Sequence, residues 1–209
     1  MEHQDIVNRY FPNLTPEQRT QFEAMGELYA EWNAKINVIS RKDIDNIYPN
    51  HILHSLAIAK FLIPKSGTTF LDMGTGGGFP GIPLATLLPD CRFHLIDRIG
   101  KKIKVASDIA EQLGLKNVTF QHGDIGECRE RYDFVVSRAV MPLNDLLPLV
   151  RKNIAKGGHN GLPNGLICLK GGDISEEIRL TKAKVEVEDV STYFKEPFFE
   201  TKKLVYVPI

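Results

Sequence analysis

Residues 68–81, TTFLDMGTGGGFPG, restrict what this chain can fold into more than any other stretch. Thr69, Phe70 and Leu71 form a short apolar run suited to a buried strand. Asp72 and a cluster of glycines end it, and an apolar helical run follows Pro80. A strand that breaks into glycines and then a helix makes a nucleotide cradle, because glycine lets the backbone approach a ligand closely and adopt φ > 0 turns. Two frames of the loop name two ligand classes. Gly76, Gly78 and Gly81 satisfy the dinucleotide pattern G-x-G-x-x-G. Asp72, Gly74, Gly76 and Gly78 satisfy D-x-G-x-G-x-G, the pattern of S-adenosylmethionine (SAM) enzymes. The dinucleotide frame puts Pro80, which has no N–H, inside the fingerprint and leaves Asp72 beside a diphosphate. SAM has no phosphate, and its ammonium and sulfonium are positive. The loop therefore favours SAM, with Asp72 accepting hydrogen bonds from the ligand.

The context supports this frame. Residues 92–97, RFHLID, form a second strand ending in Asp97, about 20 positions past the glycines and placed for ribose hydroxyls. Its competing role is to cap the helix that starts at Lys101. Residues 118–122, VTFQH, form a third strand, followed by Gly123 and Asp124. Asp124, or the backbone of Ile125 and Gly126, is placed for the adenine edge, while a plain turn role for Asp124 stays equally open.

From Thr68 onward, strands alternate with helices: strands at 68–71, 92–96, 118–122, 132–137 and 165–169, with helices at 81–88, 101–113, 143–154 and 174–182 between or after them. This order implies a mostly parallel sheet. Two β-rich runs, 185–194 and 202–208, end the chain with no helix between them and read as an antiparallel hairpin. That is the class I SAM-dependent methyltransferase fold, an α/β Rossmann-like sheet. Before it, Thr15, Pro16 and Gln18 signal a capped helix start. Phe22, Met25, Leu28, Tyr29, Trp32 and Ile36 then recur at helical spacing as one apolar, core-facing stripe. A second helix carries Ile52, Leu53, Leu56 and Ala59. A boundary near Pro64–Gly67 divides residues 1–66, a helical extension packed on the sheet, from residues 67–209, the SAM-binding domain. The glycine-rich stretch 157–165 reads as a flexible connection.

Ligands of open α/β sheets lie beyond the carboxyl ends of the strands. The fourth strand ends at Ser137-Arg138 and the fifth at Lys170-Gly171-Gly172, so both bring a cation to the ligand. Arg138 is suited to gripping a phosphate, stacking on a base or holding the acidic group of SAM. Arg98, Lys101 and Lys102 directly follow Asp97 and are placed to touch RNA phosphates. Other local basic clusters are Arg41-Lys42 and Arg151, Lys152 and Lys156.

Lys+Arg and Asp+Glu both number 26, so net charge gives a nucleic-acid partner no general support; a local patch is required. The separated cysteines Cys91, Cys128 and Cys168 indicate reduced thiols in the cytoplasm, with no metal knuckle. The polar start MEHQDIVNRY is no signal peptide, and no apolar run reaches membrane-span length. The fourth strand carries no N-P-P-Y motif for an exocyclic amine, and there is no catalytic cysteine pair. A nucleophile with a free lone pair and no proton to lose needs positioning rather than a base, and guanine N7 is one.

WNAKINVIS (32–40), HILHSL (51–56), LDMGTGGGFPGIPLA (71–85), the Asp97-x-x-x-Lys101-Lys102 step, SRAV (137–140) and LKGG (169–172) together make the chain resemble the ribosomal RNA small subunit methyltransferase G family, also called glucose-inhibited division protein B. The resemblance covers nearly the whole chain. It implies SAM-dependent 7-methylation of one guanosine in the 530 loop of 16S rRNA, with the rRNA or the small subunit as partner; apart from the resemblance, a cytoplasmic monomer without metal is expected. It places Gly74 and Phe79 on SAM, Ile125 and Gly126 at the adenine, Arg138 at the mouth shared by cofactor and substrate, and Lys170 and His51 toward RNA. Where the family commonly reads H-I-L-D-S, this chain has His54 in place of the aspartate. His51 and His54 lie three apart, as a metal pair would, but with no third ligand evident they read as packing or polar contacts. The other functional classes that fit the loop are a small-molecule SAM methyltransferase and a non-catalytic nucleoside-binding ribosome factor.

Overall fold

The computed structural model describes residues 5–40, 43–138 and 140–209; the expected basic pair Arg41-Lys42 and residue Ala139 of the SRAV motif lie outside them. The chain begins with α1 (Asp5–Tyr10) and α2 (Pro16–Lys35). Thr15 starts α2 with a reciprocal cap: its hydroxyl accepts from Gln18 N at 3.2 Å, and the Gln18 side chain accepts from Thr15 N at 3.0 Å. A π-helical segment, Tyr48–Leu53, runs directly into α3 (His54–Phe61). The helix expected around Ile52–Ala59 therefore starts a turn earlier, with Pro49 in its first turn, where no N–H is needed.

The α/β part follows as β1 (Thr69–Met73), α4 (Gly81–Leu87), β2 (Arg92–Asp97), α5 (Gly100–Gln112), β3 (Val118–His122), β4 (Phe134–Arg138), α6 (Leu143–Val150), β5 (Gly165–Gly171), α7 (Ser175–Leu180), β6 (Glu186–Asp189) and β7 (Lys202–Pro208). The seven strands pair in the order β3-β2-β1-β4-β5-β7-β6, parallel from β3 to β5 and antiparallel at β7 and β6. Strand order reverses between β1 and β4, and such a switch point opens a crevice at the carboxyl ends of the strands.

The sheet is buried on both faces, so its strands separate their residues by alternation. Phe70, Phe93 and Phe134 stack across neighbouring strands, with ring centroids 4.8 and 5.7 Å apart, and face α2 to α5. Leu71, Val135, Leu166 and Val205 face the other way, toward α6 and α7. Burying one such side chain is worth about 1.5–3 kcal/mol.

The N-terminal helices share the first of these cores. Trp32 anchors α2 to α5 through its indole N–H, which donates to Asp108 at 2.7 Å; it packs against the core as its stripe requires. Gln18 and Gln21 donate to the backbone oxygens of Thr86, Leu87 and Leu113.

Three expectations about the carboxyl-terminal part change. The helix expected to reach residue 154 ends at Val150 and tightens into a 3-10 turn, Arg151–Asn153. The strand expected over 185–194 is cut to Glu186–Asp189, and two 3-10 segments, Val190–Thr192 and Pro197–Thr201, lie between β6 and β7. Val190 and Phe194 are both fully buried, and the Phe194 N–H donates to Val190 O at 3.1 Å; four-residue spacing buries both on one side, which a strand would not do so compactly. The loop 157–165 is also pinned: Asn160 Oδ1 accepts from Lys65 N at 2.8 Å and from the Thr68 hydroxyl at 2.9 Å.

Candidate active site

A cavity of about 600 Å³ opens at the carboxyl ends of β1, β2 and β4, within the size range of small-ligand sites. The glycine loop forms its floor. Gly74 N and Thr75 N both donate to Ile96 O, at 2.9 and 3.1 Å, tying the loop to β2. Gly74 (φ +69°) and Gly76 (φ +60°) hold left-handed backbone that side-chain-bearing residues rarely adopt. A Cβ on Gly74 would lie 2.7 Å from Val140, and one on Gly77 2.9 Å from Val38, so the loop is also hemmed in from above.

Asp72 is not at the ligand surface. It is fully buried beneath the loop, where one oxygen accepts from the Thr75 hydroxyl at 2.6 Å and from Gly81 N at 2.8 Å. Its other oxygen has no hydrogen-bond partner among the described residues. Burial pushes its carboxyl up to about 7 against these bonds and the nearby Arg138 charge. Asp72 thus shapes the loop from below, which corrects the expectation of a direct ligand contact. Gly78 (φ +108°) also faces inward, toward Ile82 and Tyr29.

Asp97 lines the cavity at the end of β2. Its two oxygens accept from Gly76 N and Ile99 N, both at 2.8 Å, so it clamps the loop to the start of α5 while keeping lone pairs for a hydroxyl. Asp124 and Ile125 line the same end. Asp124 also caps the 3-10 turn Ile125–Glu127 by accepting from Gly126 N at 2.8 Å, so its turn role and its place on the wall hold together. Gly126 itself is off the wall: its N–H is taken by Asp124, and its carbonyl accepts from Lys152 at 3.0 Å. Arg98 and Lys102 line the mouth, whereas Lys101, in the first turn of α5, does not. Ile99 and Leu149, both exposed apolar side chains, complete this end.

Arg138 forms the opposite wall, beside Phe79. Its guanidinium carbon lies 4.9 Å from the Phe79 ring centroid. One terminal nitrogen donates to His51 Nδ1 at 3.0 Å and the other to Asn50 O at 3.4 Å. Because Arg138 can only donate, His51 Nδ1 is an acceptor; its Nε2–H then donates to Asp43 Oδ2 at 2.5 Å. Burial and the Arg138 charge pull the His51 imidazolium down to about 4, Asp43 opposing, so His51 is neutral at physiological pH. Burial alone would raise the Asp43 carboxyl, but hydrogen bonds from Asn50 and His51 outweigh it and hold it below its ordinary value. Burial lowers Arg138 to about 10, leaving it charged at neutral pH.

His51, expected toward RNA, is engaged by Arg138 and Asp43. Lys170, expected there too, is engaged within the protein. Only 8% exposed, it donates from Nζ to Met141 O at 2.5 Å and to Glu177 at 2.8 Å, and Glu177 also accepts from Leu143 N at 2.7 Å. The pair holds down the lip between β4 and α6, whose Val140 and Met141 line the cavity. His54 packs edge-on to the Phe198 and Phe199 rings, with centroids 5.5 and 6.0 Å away. No group of three or more metal-capable side chains occurs among the described residues. Val38, Asp43 and the lip residues went unnoticed in the sequence; Val38 lies inside the WNAKINVIS stretch, while Asp43 gave no signal at all.

Residues 18–205 match the family described as rRNA small subunit methyltransferase G. The chain belongs to this family. A relative from Phocaeicola vulgatus, named ribosomal RNA small subunit methyltransferase G, is 57% identical over 205 residues, covering 98% of both chains. One of the same name from Parabacteroides distasonis is 58% identical over 204 residues, covering 98% of this chain and 89% of its own. Among solved structures, a SAM-dependent methyltransferase from Aquifex aeolicus aligns with TM-score 0.53 at 20% identity, over 73% of this chain and 88% of that one. Aeropyrum pernix fibrillarin with bound SAM aligns with TM-score 0.53 at 14% identity, over 74% and 73%. At these identities the likeness is one of fold: the methyltransferase G family chain has the class I SAM-dependent methyltransferase architecture, with its cavity where that architecture opens.

Proposed function

We propose that this chain uses SAM to methylate N7 of a single guanosine in the 530 loop of 16S rRNA. The observation that carries this reading is family membership over nearly the full chain, joined to a cavity whose walls suit SAM. The donor set fits the group. Asp97 accepts from ribose hydroxyls, Ile125, Ile99 and Leu149 supply apolar surface for adenine, and the glycine floor admits close approach. When bound, SAM supplies a methyl group already activated by its sulfonium. The chain's own residues bind, orient and exclude water. Arg98 and Lys102 at the mouth, with Lys101 beside them, contact RNA phosphates, and Lys170 and Glu177 keep the lip in place over the loop. Asp97 and His51 are committed to amides and to Arg138, so neither is free to act as a base, and guanine N7 has no proton to remove.

The test is transfer of labelled methyl from SAM to small subunits and to naked rRNA from cells lacking this protein, with nucleoside analysis. The expected product is 7-methylguanosine at one site. Label in another nucleoside overturns the position, and label only in a small molecule overturns the RNA substrate.

A further inference from the structure

The crossover from β3 to β4, residues 123–133, holds one 3-10 turn, Ile125–Glu127, where the other parallel crossovers hold the helices α4, α5 and α6. The sheet face on the α6 side is therefore left without a helix over the start of β2 and over the edge strand β3. The sequence answers to this. Strands covered on both faces read as continuous apolar runs, whereas the start of β2 and all of β3 alternate. Phe93 and Leu95 join the core on the α2 to α5 side, so Arg92 and His94 turn the other way. On that face the two His94 ring nitrogens lie 2.8 Å from the Thr119 hydroxyl and 3.1 Å from Gln121 Oε1.

A cavity of about 520 Å³ lies over this bare face, with His94, Tyr132, Arg92, Lys116 and Arg131 on its wall. The His94 and Tyr132 rings stack, 11° from parallel with centroids 5.8 Å apart. With both nitrogens engaged inside the sheet, the ring face is what His94 has to offer a ligand. Arg92, Lys116 and Arg131 are exposed, and none forms an ion pair with a described residue. Among the described residues Glu130 is the one carboxylate on the wall, and it accepts from the Tyr132 hydroxyl at 2.9 Å. In a chain of zero net charge, three cations and one acid around a hollow are a local basic excess. Rings beside unpaired cations suit a nucleotide of a single strand, with the base on the ring and the phosphate on the cations. Arg92 and Asp97 end β2 at opposite ends, five residue steps or about 17 Å apart. An rRNA segment spans that distance from the SAM cavity; a small-molecule acceptor does not.

We propose that this uncovered face of β2 and β3 is a second RNA-binding subsite, separate from the SAM cavity, with His94 stacking on a base and Arg92, Lys116 and Arg131 contacting phosphates. The proposal rests on the rRNA reading above and adds a place where that substrate is held away from the reacting guanosine.

The test measures affinity of the full chain for rRNA and small subunits from cells lacking this protein, across a salt series, beside SAM affinity and methylation kinetics. Replacing Arg92, Lys116 and Arg131 together with alanine should reduce the salt slope for naked rRNA by about 2 and weaken binding on the order of 100-fold at 0.1 M salt. KM for RNA should rise, with kcat and SAM affinity unchanged. His94→Ala should weaken RNA binding about 10-fold with no change of slope. His94→Phe keeps a ring, loses the bonds to Thr119 and Gln121, and should stay within about 3-fold of native. A native slope and affinity in the triple variant, while the native chain methylates rRNA, overturn the subsite and leave the rRNA reading standing. Weakening on small subunits alone, with naked rRNA unaffected, overturns the RNA assignment and gives the face to a ribosomal protein. Loss of SAM affinity in step with RNA affinity overturns it too, because it marks a change of fold rather than of contact. Equal losses in the two His94 variants overturn the stacking role. A native chain that neither binds nor methylates RNA overturns the rRNA reading, and this proposal with it.

Discussion

The two ends of the cavity are held by opposite means. At the β2 end, Asp97 accepts from backbone amides of Gly76 and Ile99, and Asp124 from that of Gly126; these partners lie within 21 residues of the acids that bind them. At the β4 end, Arg138 is held by side-chain and carbonyl groups of Asn50 and His51, 88 and 87 residues away, on a π-helical segment outside the α/β part. One end is a property of the sheet and its loops. The other exists because the N-terminal helices pack on that sheet and carry Asp43 and His51 to it. On the reading proposed above, the first end receives the ribose of the cofactor.

Breaking the β2 end should have the largest effect. Asp97→Ala leaves the Gly76 and Ile99 amides without their acceptor and removes the acceptor for ribose. Together these are worth about 3 kcal/mol, so SAM should weaken about 100-fold in calorimetry. An affinity left near native would take the ribose away from this end.

A second prediction concerns the floor they share. Asp72 has its carboxyl raised to about 7 by burial, so the folded state holds its proton more tightly than the unfolded chain does. Stability from this group is present below the ordinary carboxyl range and is lost as pH rises from about 4 toward 7. Asp72→Asn keeps an oxygen for Thr75 and Gly81 and removes the titration. Relative to that variant, the native chain should lose stability over this window, by on the order of 4 kcal/mol at most. Parallel denaturant-unfolding profiles from pH 4 to 8 would contradict it.

The smallest effect is expected away from the cavity. Trp32→Phe removes the bond to Asp108 between α2 and α5 and should lower unfolding free energy by about 1 kcal/mol, with SAM affinity unchanged. If SAM affinity falls as well, the N-terminal helices are coupled to the site more broadly than through Asp43 and His51.

The same division governs what could be read from the sequence. Strands β1 to β3, the glycine turn, Asp97 and Asp124 follow from local pattern, since apolar runs, breakers and acids at fixed offsets decide them. The antiparallel end of the sheet was legible, but the 3-10 turns beside it were not, because Val190 and Phe194 answer to Tyr10 and Phe199 rather than to their neighbours in sequence. Lys170 lies near the end of a strand at the cavity level, and its position alone suggested a ligand contact. The lip carbonyl of Met141 and the Glu177 carboxylate claim its ammonium instead. Asp72 was assigned to the ligand because it precedes the glycines, yet the loop folds over it and uses its carboxylate internally. Asp43 was invisible, since its partner His51 matters only once Arg138, far along the chain, is in place.

The most direct test of this two-ended site is a crystal structure of the full chain with SAM bound. The account requires the ribose hydroxyls within about 3.2 Å of Asp97, with Arg138 held by His51 and Asn50 at the other end. SAM lying with its ribose away from Asp97, or Arg138 released from the π-helical segment, would contradict it.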